Sequence, residues 1–170
     1  MMDFLDMAKN RFSVRKYSNQ PIEREKIDLI LKAAQAAPTA HNDQPQVIYV
    51  MQSSEALALV DTFTRGRFNA PIVFVLCYDN KISWKRKDGY DSGEVDCGII
   101  GTHIMFEALD QGLGSCWVAM FNLELLKEKL GLGENIVPIA VIPVGYPAAN
   151  ALPFQFHFER KSLSKTVEFR

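Results

Sequence analysis

DCGIIGTHIMFEALDQ, residues 96–111, carries apolar or small side chains on more than one side of any helix drawn through it. A surface helix shows one apolar stripe, so this composition predicts a helix buried all round or packed against a second copy of itself. Gly112 ends it, and a short apolar run, CWVAM, follows GLGS. Upstream, IVFVLCY (72–78) is a continuous apolar run of buried-strand type, and QVIYVM (46–51) also reads as a strand. Between them Ser54 caps a helix through Phe63. Pro21 and Glu23 open a helix whose Ile27, Ile30, Leu31 and Ala34 recur at helical spacing and which ends before Pro38. A short helix over Asp3–Asn10 precedes it, with Phe4, Leu5 and Ala8 on one face. Downstream, LELLKEKLGL reads as a helix stopped by Gly131, and IAVIPVGY (139–146) as the last strand. Helices and strands in mixed order with short connections predict an α+β or three-layer domain, helices over a central sheet, whose strand order the pattern leaves open.

The chain has 170 residues, 48% hydrophobic and 23% charged, which predicts one well-filled domain over 1–170. From Pro147 onward apolar periodicity fades, so 147–170 reads as a carboxyl-terminal arm ending in a basic cluster that contains Arg160 and Lys161. A net charge of −1 gives no general attraction to nucleic acid, so any basic cluster must serve something small and local. Cys77, Cys97 and Cys116 lack C-x-x-C spacing and leave an odd thiol, which predicts free, mostly buried cysteines and a reducing compartment. The start MMDFLDMAKNR lacks a signal-peptide pattern, and no run reaches membrane-spanning length; the expected location is cytoplasmic, away from the membrane. Neither G-x-G-x-x-G after the first strand nor a P-loop is present, so a phosphate ligand needs another kind of site.

RFSVRKY, 11–17, supplies a candidate. In an extended chain Arg11, Ser13 and Arg15 point one way while Phe12 and Val14 point the other. Two guanidinium forks with a hydroxyl between them suit phosphate oxygens, and the same seven letters also describe a solvated edge with its apolar face packed inward. APTAHNDQPQ, 37–46, sets Thr39, His41, Asn42 and Gln44 on a loop constrained by Pro38. Such a set reads the edge of a flat heterocycle, or else shapes a turn. The segment between Asp79 and Glu94, with Trp84, Arg86 and Tyr90, is too polar for a core element and is a candidate functional loop or lid.

RFSVRKY, APTAHNDQP, DCGIIGTHIMFEALDQGLGSCWVAMF, IPVGYP and the late Arg160-Lys161 pair, in this order and spanning residues 11 to about 161, together resemble the nitroreductase family of flavin enzymes. The resemblance implies an α+β three-layer sandwich with a central, mostly antiparallel sheet, and an intertwined homodimer with FMN at the interface. It implies that Arg11, Ser13 and Arg15 take the FMN phosphate, with Arg160 or Lys161 closing the cradle. Pro38, Thr39, Asn42 and Gln44 would reach the flavin from the partner chain. The main chain of Val118 and Ala119 would approach the hydride-accepting nitrogen, N5. The flavin itself carries the chemistry, so no catalytic side chain and no metal are expected, and Cys116 reads as a packing residue. NADH or NADPH would reduce the flavin, and a nitroaromatic, a quinone or a similar small electron acceptor would reoxidise it in ping-pong order. The same resemblance also admits an FMN-binding or sensing protein without turnover, and relatives doing reductive dehalogenation or flavin breakdown. Two departures stand out: Gln44-Pro45-Gln46 lacks the family's usual aromatic after Gln-Pro, and the chain is short for the family.

Overall fold

In the computed structural model the described residues are 3–170, so the first two residues of the expected 1–170 domain lie outside the described residues. The helices are α1 (Phe4–Asn10), α2 (Arg24–Ala36), α3 (Ser54–Phe63), α4 (Gly93–Asp110) and α5 (Leu123–Leu130). The strands are β1 (Gln46–Met51), β2 (Ile72–Asp79), β3 (Gly114–Ser115) and β4 (Ile136–Gly145), in sheet order β1-β2-β4-β3 with every pairing antiparallel.

Alternation along β2 builds the layers. Ile72, Phe74, Leu76 and Tyr78 join Ile27, Ile30 and Ala34 of α2 and Cys97, Ile100 and Ile104 of α4 on one face. Val73, Val75 and Cys77 point the other way, to Val60 and Phe63 of α3 and Leu126 of α5. Helices therefore cover the sheet on both sides, and each fully buried aliphatic or aromatic chain contributes roughly 1.5–3 kcal/mol of burial. β4 tolerates Pro138 because the ladder slips there: Leu76 faces Ala140 while Cys77 faces Pro138, leaving Ile139 as the extra residue of a bulge.

The boundaries correct the sequence reading in places. Ser53, not Ser54, caps α3, its side chain accepting the Ala56 N–H at 3.1 Å. α4 begins at Gly93, because Gly93 can lie against the Tyr78 ring where a Cβ would collide with it. Helix α4 carries apolar or small residues on more than one side but is not buried all round: Glu94, Val95, Thr102 and Asp110 are exposed and the space over Gly98 is open. The arm from Pro147 contains two single 3-10 turns, Gln155–His157 and Leu163–Lys165, and exposes Leu152, Phe154, Phe156, Phe158, Leu163 and Phe169. No helix among the described residues is long and apolar enough to cross a membrane.

Candidate functional site

Helix α4 spans two polar regions. Its C-terminal end turns at Gly112, with φ of 74°, into β3. The RFSVRKY segment lies along the outer edge of β3: Ser13 pairs in parallel with Ser115, and the Val14 N–H donates to the Ser115 carbonyl at 2.9 Å. Val14 fits because residue 114 is glycine; a Cβ there would collide with the valine. Tyr17 pins the other end, its hydroxyl donating to the carbonyls of Val14 (2.9 Å) and Pro143 (3.1 Å).

Held this way, Arg11, Ser13 and Arg15 line one crevice of about 270 Å³ with Phe154, Phe156 and Arg160 of the arm. Among the described residues none of these three arginines has a carboxylate within ion-pairing distance. Burial pushes the Arg11 guanidinium below its ordinary basicity; the Cys116 thiol opposes that shift and the charge of Arg160 adds to it. Lys161 is exposed and does not line the crevice, so Arg160 is the tail cation that the fold brings there. Phe12 departs from the expected alternation: it is only half-buried and its ring lies 6.3 Å from that of His157 in the arm.

Next along the same edge, the N–H groups of Cys116 and Val118 point inward, to the carbonyls of Pro143 (3.3 Å) and Val141 (3.0 Å). The Val118 N–H is therefore spent on the sheet and is not available to a ligand in this arrangement. Alternation turns the N–H of Ala119 outward, and it has no hydrogen-bond partner among the described residues. Cys116 is buried and desolvation raises its thiol pKa, although Arg15, Ser13 and Arg11 pull the other way.

At the other end of α4 lies the loop from Pro38 to Gln46. Its backbone is strained: His41, Asn42 and Gln44 have φ of 55°, 58° and 50°. Such left-handed geometry is uncommon outside glycine and costs on the order of 1 kcal/mol or more per residue. Thr39 Oγ1 accepts the Gln44 N–H at 3.1 Å, and the Gln44 amide donates to the Asn42 carbonyl at 3.2 Å. His41, Asn42 and Gln44 are exposed, Pro38 is exposed beside them, and Thr39 is half-buried. Gln46, at the loop's root, has a buried Oε1 without a hydrogen-bond partner among the described residues.

The 79–94 segment is a braced hairpin rather than a free lid. Lys85 pairs with Asp91 across it, and Arg86 stacks over the Tyr90 ring at 4.7 Å. Burial disfavours the Asp91 charge, but bonds from Lys85, Ser83 and the Gly93 N–H outweigh it and hold its pKa at about 2. Trp84 leans on the loop, its ring 5.9 Å from that of His41. One functional candidate escaped the sequence reading. Asp96 is a buried carboxylate accepting the Ala40 N–H at 2.9 Å, and its only signal was an acid among apolar neighbours.

Within one chain the loop and the crevice do not meet. Gln46 faces Tyr78, whereas Ser115 faces Val144, which faces Ile72. The two ends are thus about 20 Å apart along the strands and about 14 Å across them.

A profile of the family described as "Putative TM nitroreductase" matches residues 3–170. The chain belongs to the nitroreductase family. A relative from Archaeoglobus fulgidus named "Putative NADH dehydrogenase/NAD(P)H nitroreductase" is 38% identical over 154 residues, 86% of this chain and 87% of its own. A crystal structure of a nitroreductase family protein from Clostridium difficile 630 superimposes with a TM-score of 0.93 at 32% identity, covering 99% of this chain and 98% of that one. An FMN-dependent nitroreductase from Clostridium difficile R20291 follows at 0.80 and 26%, covering 98% of both chains. The nitroreductase fold, an α+β sandwich, is thereby this chain's fold.

Proposed function

We propose that this nitroreductase family member is an FMN-dependent NAD(P)H oxidoreductase, and that a homodimer holds each FMN between the crevice of one copy and the Pro38–Gln44 loop of the other. The observation that carries this reading is the crevice: Arg11, Ser13, Arg15 and Arg160 line it together, and among the described residues no carboxylate lies within ion-pairing distance of its three arginines. A phosphate monoester, with nearly two negative charges, is the complement of that set. The FMN dependence of the Clostridium difficile R20291 relative and the NAD(P)H in the Archaeoglobus name support the choice.

The residues present fit such a group. Arg11, Ser13, Arg15 and Arg160 would hold the phosphate, and the outward Ala119 N–H, without a hydrogen-bond partner among the described residues, lies on the same edge and would donate to a ring. The crevice, about 270 Å³, adjoins a second one of about 590 Å³ that shares Phe12, His157 and Arg160 with it, and on this reading the remaining walls of the ring site come from another copy. With the loop some 24 Å from the crevice, corner to corner of the sheet, a second copy is the natural source. The aromatic arm, the exposed Val95 and the open Gly98 leave apolar surface for that copy to cover. Asn42 and Gln44 of the second copy would then supply polar groups to the ring.

When bound, FMN supplies hydride acceptance from NADH or NADPH and electron delivery to a nitroaromatic, quinone or similar small acceptor, the two substrates using one place in turn. The protein's share is to bind, orient and electrostatically balance, which needs no nucleophile of its own. The test is to load the protein with FMN and add NADH or NADPH without oxygen. Loss of the yellow absorption supports the oxidoreductase. Colour that persists leaves a binding or sensing protein, and a chain that takes up no FMN on titration refutes the reading.

A further inference from the structure

Asp96 stands in the first turns of α4, 2% exposed, with no cation in ion-pairing distance among the described residues. Its neighbours Cys97 and Ile100 are fully buried and apolar, so packing alone would favour an apolar side chain here. Both carboxylate oxygens are used. Oδ1 accepts the Ala40 N–H at 2.9 Å and Oδ2 accepts the Ser92 hydroxyl at 2.8 Å. Ser92 occupies the N-cap position of α4 yet makes no capping bond to the helix; its hydroxyl serves Asp96 instead. The positive end of the helix dipole offsets part of the cost of the buried charge.

Ala40 opens the turn that contains the strained residues. The loop's far end is tied to β2 through the Asp79 N–H and the Pro45 carbonyl at 2.8 Å. Its near end is tied to α4 through Asp96. The bonds among Thr39, Asn42 and Gln44 lie inside the loop and would move with it. The His41 contact is to Trp84, on a hairpin that is itself a surface element.

We infer that Asp96 is a positioning residue: it latches the Pro38–Gln44 loop to α4 in the left-handed geometry from which it reaches the flavin of the other copy, an inference that rests on the FMN reading above. Without the latch the loop relaxes toward unstrained conformations, and flavin affinity falls by the fraction of time it spends in the competent one. The loss concerns the ring end of the ligand, so FMN and riboflavin suffer alike.

The experiment compares Asp96→Ala, Asp96→Asn and the milder Ser92→Ala in the full chain. Asn can accept from Ala40 through Oδ1 and donate to the Ser92 oxygen through Nδ2, so it should preserve both bonds. The expected result is a fall of about tenfold in affinity for FMN and riboflavin together in Asp96→Ala, with their ratio unchanged. Asp96→Asn should stay near wild type and Ser92→Ala should fall between. Hydrogen exchange should quicken at Ala40, Asn42 and Gln44 while the Val75 amide keeps its rate, a pattern that general destabilisation does not produce. Wild-type flavin affinity, or unchanged Ala40 exchange, in both Asp96→Ala and Ser92→Ala overturns the inference alone. A wild-type chain that binds neither flavin overturns the functional reading and the inference with it.

Discussion

Replacing Arg11 with methionine deletes a guanidinium while leaving an unbranched apolar stem. Burial already holds this group below its ordinary basicity, and Arg160 across the crevice deepens that shift against the opposing Cys116 thiol. Its charge is therefore a cost to the ligand-free protein and a gain only when an anion arrives. Two opposite effects follow from one substitution. Loss of a charge-assisted hydrogen bond to phosphate is worth about 1.5–3 kcal/mol. That is about 10- to 150-fold in FMN affinity, toward the upper end because Arg11 is half-buried. Riboflavin lacks the phosphate, so its affinity should not change. The ligand-free variant should unfold at a higher urea concentration than wild type, since an unanswered, partly desolvated charge is gone. Fluorescence titrations with both flavins at one salt concentration, beside urea unfolding without ligand, read all three quantities. Equal weakening of riboflavin, or undiminished FMN binding, would refute the assignment of Arg11 to a phosphate.

Gly101→Ala should cost about 1–3 kcal/mol in urea unfolding, because a Cβ there would lie well inside contact distance of the Trp117 ring and would crowd Ile142; near-UV circular dichroism should change with it, and unaltered stability would remove Gly101 from that contact. Asp91 has a folded pKa of about 2, below its unfolded value, so its stabilisation is present at neutral pH and is lost as pH falls from about 4 toward 2. Asp91→Asn should flatten the wild-type pH dependence of hydrogen exchange in the 83–92 hairpin over that window, and an unaltered acid slope would contradict this. Burial pushes the Cys77 and Cys97 thiols up to about 12, so neither should react with a thiol reagent at pH 8 until urea unfolds the chain; fast native labelling of either would show that β2 or α4 opens locally.

The layers were legible because they depend on local pattern. The spacing of Ile27, Ile30 and Ala34 marked α2, and the run 72–78 marked a strand covered on both faces. What escaped depends on distant partners. Pro138 argues against a strand until the bulge opposite Leu76 and Cys77 accommodates it, so β4 begins at Ile136 rather than at 139. β3 has only two residues and exists because β4 and Ser13 flank it. The same limit runs through the site. Alternation grouped Arg11, Ser13 and Arg15 as the crevice does, but it also turned Phe12 away, and Phe12 lines the same crevice; nor could it say that Val141 takes the Val118 N–H and leaves that of Ala119 outward. The positive φ of His41 and Gln44 has no composition signal, and the role of Asp96 depends on a contact with Ala40, 56 positions away.

The shared site is tested most directly by mixing two defective chains. One carries Arg11→Met and the other Asn42→Ala with Gln44→Ala, each failing to retain FMN alone. After joint refolding, random pairing gives mixed dimers in half of the molecules, each with one intact crevice facing one intact loop, so about a quarter of all sites should regain FMN. Recovery at that level is the predicted result. No recovery, from chains that fold and associate normally, would place both halves of the site within a single copy and contradict the account.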